Sequence, residues 1–159
     1  MRPLKITIAL SAILVALMVG SLFLTQAQTT PTKIRISWKP SKWILDTAVP
    51  PLWNASIAGV DPGLINPATI RATSEEGVGT PIAPAYTKVD YAGKDDLIAS
   101  FLGNDMRNLI WQIVIHYNLL AAGRYRIGIK IYGNLNDGTP IEGVKVITII
   151  VPEPPPPMP

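Results

Sequence analysis

Few residues in this chain have the types that chemistry needs, so each can be weighed in turn. His116 is the single histidine, and there is no cysteine. Zinc takes three or four ligands from histidine, cysteine and carboxylate, so a zinc site lacks its donors. A nucleophilic serine on a strand-to-helix elbow needs Gly-x-Ser-x-Gly, which does not occur. No phosphate-cradling glycine loop occurs either. Asp90, Asp95 and Asp96 come nearest to a hard-cation loop. Calcium wants about six to eight oxygens, and Lys94 among these carboxylates repels an ion, so a solvated turn before a strand is expected. His116 is expected on the surface of a helix. Catalytic, cofactor-binding and metal-ligating residues are therefore expected to be none, and the chain is expected not to be an enzyme.

Two other features suggest contact instead of turnover. Trp38, Trp43 and Trp53 fall in the first third of the chain, and Trp111 lies further on. Exposed aromatic rings make platforms for sugars, which opens a carbohydrate-binding reading. Trp38 and Trp53, however, occupy the apolar phase of their strands, where core packing is expected. Asn54-Ala55-Ser56 is the one N-glycosylation sequon. With Trp53, Ala55 and Ile57 turned inward, Asn54 faces solvent and is the glycosylation candidate.

The elements that must carry these residues are mostly short and alternating. Ile34, Ile36 and Trp38 alternate with Lys33, Arg35, Ser37 and Lys39, the period of two of a half-buried strand, and Pro40 stops it. Trp43–Leu45 and Leu52–Ala58 follow as strands, and residues 65–71 form a turn feeding a short one. Residues 74–84 read as a loop, then Tyr86–Tyr91 and Asp96–Leu102 as strands. Tyr125, Ile127, Ile129 and Ile131 alternate with Arg124, Arg126, Gly128 and Lys130. Asp137-Gly138 supplies the tight reversal, and Gly143–Val151 returns with apolar residues on both faces, which predicts a strand buried on both sides. One segment has another period. Met106, Leu109, Ile110, Ile113, Val114, Tyr117 and Leu120 recur at three and four, predicting a helix over about 105–121, with Asn104 or Asp105 as cap and Gly123 as its stop.

The beginning of the chain addresses it for export. Arg2 and Lys5 precede an uncharged apolar run, Ile6–Leu24, and a small-residue exit with Ala27 as the cleavage site. At about 1.5 Å per residue the run also reaches across a bilayer, so two fates stand open. Either residues 1–27 are a cleaved signal peptide, or the apolar helix stays as an anchor with the protein touching the membrane only through residues 6–24. Residues 28–32 are a polar linker, 33–151 the folded domain, and 152–159 a proline-rich tail of polyproline II character, read as a spacer or as a solubilising stop. The net charge of +3 includes Arg2 and Lys5, so the exported part is close to neutral and no nucleic-acid partner is indicated. Without cysteine, an exported domain is stabilised by packing alone. Its Ile, Val and Pro content suits a heat-tolerant prokaryotic source.

Several segments then stand in a recognisable order: Lys33-Ile34-Arg35-Ile36, Ile57-Ala58-Gly59, Ile65-Asn66-Pro67-Ala68-Thr69-Ile70-Arg71, Val89-Asp90 through Asp96-Leu97, and Asp137-Gly138-Thr139-Pro140-Ile141-Glu142-Gly143. Over residues 33–151 the chain resembles a recurrent Ig-like β-sandwich accessory module of secreted and surface proteins of archaea and bacteria. The resemblance implies an Ig-like sandwich and an accessory role, with no assigned activity. It departs from many relatives at the Asp-rich loop, where Lys94 stands among the carboxylates in place of a calcium-type run.

The sequence therefore predicts a mainly β, Ig-like β-sandwich with one helix, preceded by an N-terminal apolar helix. It is expected outside the cytoplasm, extracellular or on the cell surface, as a non-enzymatic structural or binding module. Its partner is expected to be a protein or cell-surface component, a second copy of this chain included. Two alternatives stand beside that reading: a filament subunit assembling by donor-strand addition of residues 28–36, and a carbohydrate-binding accessory domain.

Overall fold

Strand alternation sets the layers. The computed structural model describes residues 30–45, 47–90 and 95–153. The chain forms β1 (Thr32–Lys33), β2 (Arg35–Lys39), β3 (Lys42–Ile44), β4 (Leu52–Ala58) and β5 (Ile65–Ser74). Then come β6 (Tyr86–Asp90), β7 (Asp96–Leu102), the helix α1 (Gly103–His116), and the long hairpin β8 (Gly123–Leu135) and β9 (Pro140–Val151). A 3₁₀ turn at Pro62–Leu64 precedes β5, capped by the Asp61 carboxylate, which accepts from the Gly63 amide at 2.8 Å.

Among the described residues the fold is mainly β, a sandwich of two sheets with one helix. One sheet is four-stranded and antiparallel, in the order β2-β4-β7-β6. The other is five-stranded: β5, β8 and β9 pair antiparallel, and β1 and β3 both lie parallel to β9. Ile34, between β1 and β2, is where the chain passes from one sheet to the other. Its amide still donates to the Glu142 carbonyl at 2.9 Å, while Arg35 already pairs with Ala58.

Between the sheets lie the residues that the period of two turned inward. Trp38, Trp53 and Phe101 come from the four-stranded sheet, Trp43 from β3. Trp43 meets Trp53 edge-to-face at 6.4 Å and 90°, and Trp38 meets Trp53 at 6.4 Å and 71°, so the indoles interlock across the layers. Their three indole N–H groups have no protein acceptor. Burial of the rings outweighs that cost.

The helix closes the sandwich, placing Met106, Leu109, Ile110, Ile113 and Val114 against the core. Its bounds differ from the 105–121 expected. β7 runs straight into it: Leu102 takes the N-cap position with no side-chain bond, and Gly103 packs where a Cβ would stand 1.9 Å from the Pro50 carbonyl oxygen. At the other end Asn118, at φ 53°, adopts the left-handed conformation that Gly123 was expected to supply. Gly123 instead opens β8, where strand pairing with Val151 claims it.

A second correction concerns β9. It is central in sheet order but buried on one face only: Ile141, Ile147 and Ile149 are inside, while Val144 and Val146 are 42% and 38% exposed. Apolar residues on both faces of a strand do not by themselves supply a second layer to cover them. The expected turn at residues 65–71 is likewise strand, bent by an irregularity between Asn66 and Arg71. The apolar run before residue 28, cleavage at Ala27, Lys94 and most of the proline tail lie outside the described residues.

Candidate functional site

Three surfaces come from this arrangement: the outer face of each sheet, and an edge where the five-stranded sheet is left unfinished. The outer face of the four-stranded sheet is polar, and its rows follow from strand register. Lys39 stands beside Asn54, Asn54 beside Ser100, and Ser100 beside Tyr86; the next row runs Ser37, Ser56, Ile98, Lys88. Asn54 does face outward, as the sequon argument requires. It is half-buried in the middle of the sheet, and its Oδ1 accepts from the Ser100 hydroxyl at 2.7 Å. The Ser56 hydroxyl donates to the Asp96 carboxylate. A shallow trough of about 340 Å³ crosses this face, lined by Lys39, Asn54, Ser56, Asp90 and Asp96 among others.

Of the residues weighed for metal or catalytic chemistry, the structure brings Asp90 beside Asp96 and leaves His116 at the end of α1. Asp90 pairs across the β6–β7 hairpin with Asp96, whose carboxylate is already engaged by Ser56. Among the described residues no group of three His, Asp or Glu side chains converges as a metal site. His116 is exposed at the end of α1, its ring edge-on to Tyr117 at 4.8 Å. Trp38 and Trp43 are each 4% exposed and Trp53 is fully buried, so none of the three offers a platform to a sugar. The aromatic exposed beside the polar rows is Tyr86, at 47%.

The outer face of the five-stranded sheet has a different chemistry. Arg124, Arg126 and Lys130 project from β8, and Lys42 lies in the row of Arg126 through Thr148. Beside them stand the exposed side chains of Ile44, Val144 and Val146. In the sequence these basic residues look dispersed because apolar ones separate them. On a strand, every second residue shares a face, so alternation is what brings them together. That alternation is the signal the sequence carries for this face. At the far end of the face Lys33 is ion-paired with Glu142. The Lys33 ammonium, through its hydrogen bond and then its charge, holds the Glu142 carboxyl below its ordinary range, with Lys130 adding to the effect.

The unfinished edge lies on β8. β5 stops at Ser74, which pairs with Ile129, while β8 continues back to Gly123 beside β9. A cleft of about 430 Å³ opens there, with Ile113, Leu119 and Ile127 among its lining and Glu75, Glu76, Tyr117 and Arg126 contributing to it. The Tyr117 hydroxyl donates to the Glu76 carboxylate. That bond, with burial and the carboxylate's charge behind it, raises the tyrosine above its ordinary value of 10.0. Gly128 makes the corner: Glu75 folds over it, its carboxylate 2.2 Å from where a Cβ would be.

No family model matches the chain, and no curated protein matches it. Among solved structures, CopC from Methylosinus trichosporium OB3b is similar at a TM-score of 0.32 and 18% identity, over 76% of this chain and 97% of that one. At that distance the likeness has no bearing on role.

Proposed function

We propose that this chain is an exported, non-enzymatic β-sandwich module that works by contact, through the basic and β-branched outer face of the β8–β9 hairpin. The observation that carries the reading is the one-sided exposure of β9, with Val144 and Val146 open to solvent beside Arg124, Arg126 and Lys130. Apolar residues beside a mainly basic rim, with Glu75 over Gly128 and Glu142 against Lys33 as its acidic members, suit docking to an acidic protein or cell-surface component. Export is supported by the leader pattern of residues 1–27, and the accessory role by the resemblance to surface-protein modules.

Fractionation of native material tests this. The protein is expected in the cell-envelope fraction, released by salt, and lost to the medium when Lys42→Glu and Lys130→Glu are combined. Recovery in the cytosol, or retention indifferent to salt and to both substitutions, overturns the reading.

The carbohydrate alternative moves from the tryptophans to Tyr86 and the polar rows of the four-stranded sheet. Glycan binding abolished by Tyr86→Ala would support it, and a blank array would remove it. The donor-strand alternative meets an obstacle, because Thr32–Lys33 and Arg35–Lys39 are paired within this chain and Ile34 and Ile36 fill its own core. Donating residues 28–36 to a neighbour would empty it.

A further inference from the structure

The open edge of β8 has the geometry of a receptor for one more strand, and its surroundings specify what that strand is made of. The Glu75 amide donates to the Gly128 carbonyl at 2.9 Å, so Gly128 turns its peptide group toward the β5 side. Direction alternates along a strand, so Arg126 and Arg124 present their peptide N–H and C=O groups to the same side. β5 has ended by then, and no described residue pairs with them there. An exposed row of unpaired backbone groups is a template for strand addition. The inner side chains of an added strand would lie on Ile113, Leu119 and Ile127 in the cleft. Its outer side chains would stand beside the exposed guanidinium groups of Arg124 and Arg126, to which acidic residues are complementary, away from the corner where Glu75 lies over Gly128.

We infer that the β8 edge binds an extended segment of a partner protein in which apolar and acidic residues alternate, added antiparallel to β8 along the line that β5 vacates. This deepens the contact reading, on which it rests, by naming the partner's chemistry and the edge it uses. Residues 28–36 of this chain do not fit: Gln28–Pro31 is polar and ends in a proline, and Thr32, Lys33, Arg35 and Ile36 are already paired.

The test uses the exported chain and a short synthetic peptide alternating valine with aspartate, followed by fluorescence anisotropy. Saturable binding that weakens with salt is expected. N-methylation of the peptide on alternate amides keeps every side chain and removes the donors, and should weaken binding at least about tenfold. Replacing aspartate by lysine in the peptide should abolish it. On the protein, Arg126→Pro removes an N–H that faces the open edge and so costs no ladder bond, and it should abolish binding with the fold retained. Arg126→Gln should weaken binding several-fold and flatten its salt dependence. Absence of binding, or binding unmoved by N-methylation, overturns the inference. So does self-association through this edge, seen in sedimentation and lost in Arg126→Pro, which would put a second copy in the partner's place. Each of these outcomes leaves the Lys42 and Lys130 fractionation result standing or falling by itself.

Discussion

The two sheets share a core but differ in how completely their strands are paired. In the four-stranded sheet β2, β4, β7 and β6 pair antiparallel without a break in register, and the outward polar groups of its central strands largely bond to each other, as Asn54 does with Ser100 and Ser56 with Asp96. In the five-stranded sheet β5 is irregular and stops early, and β1 and β3 cover only the two ends of β9. Its outer face also leaves Val144 and Val146 uncovered. Pairing and burial are therefore less complete in the five-stranded sheet. The four-stranded sheet presents a polar outer face crossed by a shallow trough, with Tyr86 at its margin.

The largest way to break the contrast is to remove the core that both sheets share. Trp53→Ala deletes a fully buried ring touching Trp38 and Trp43, and should cost about 3–5 kcal/mol in denaturant unfolding, in one cooperative transition. Two separate transitions would show instead that the sheets are stable independently. Next comes Gly103→Ala, which drives a methyl into the Pro50 carbonyl where β7 becomes α1. A loss of about 1–3 kcal/mol is expected, read as a fall in the thermal midpoint. Asn54→Ala sharpens the claim that the four-stranded face is internally satisfied. It strands the buried Ser100 hydroxyl without its acceptor and should cost about 1–2 kcal/mol, whereas Asn54→Asp keeps an acceptor and should cost less.

The smallest effect belongs to the margin of the five-stranded sheet. The Glu142 carboxyl titrates below its ordinary value of 4.5 in the folded protein, so its contribution is full above that value and fades as the pH falls through and below it. Lys33 is 74% exposed, and solvent screens the pair, leaving about 0.3 kcal/mol. Glu142→Gln should remove that acid-dependent increment from the stability–pH profile, and salt should shrink it in the unsubstituted protein.

Much of the architecture was legible beforehand. Leu52–Ala58 and Asp96–Leu102 have the bounds expected from sequence, because alternation and turn residues act over a few neighbours and are written locally. The helix existed as expected, but its limits were set by a strand running into it at Leu102 and by Asn118 in the left-handed conformation, neither visible in the three-and-four period. The two-sided apolar character of β9 was visible, yet whether a layer covers the second face depends on segments distant in sequence. For the candidate site the balance is less favourable. Arg124, Arg126 and Lys130 are legible as the polar phase of one strand, but the open edge of β8 was not legible at all, since it exists because another strand ends at Ser74.

By itself, then, the amino-acid order determined that strands form, which faces of the alternating ones turn inward, and that a helix follows β7. It also put Asn54 on an outer face. Tertiary structure alone decided that β1 and β3 flank β9, that the tryptophans interlock as core, and that a strip of backbone on β8 is left without a partner. The reason is range. Periodicity and turn chemistry act between near neighbours, whereas pairing partners, covered faces and free edges are settled only when residues far apart in the chain compete for the same place.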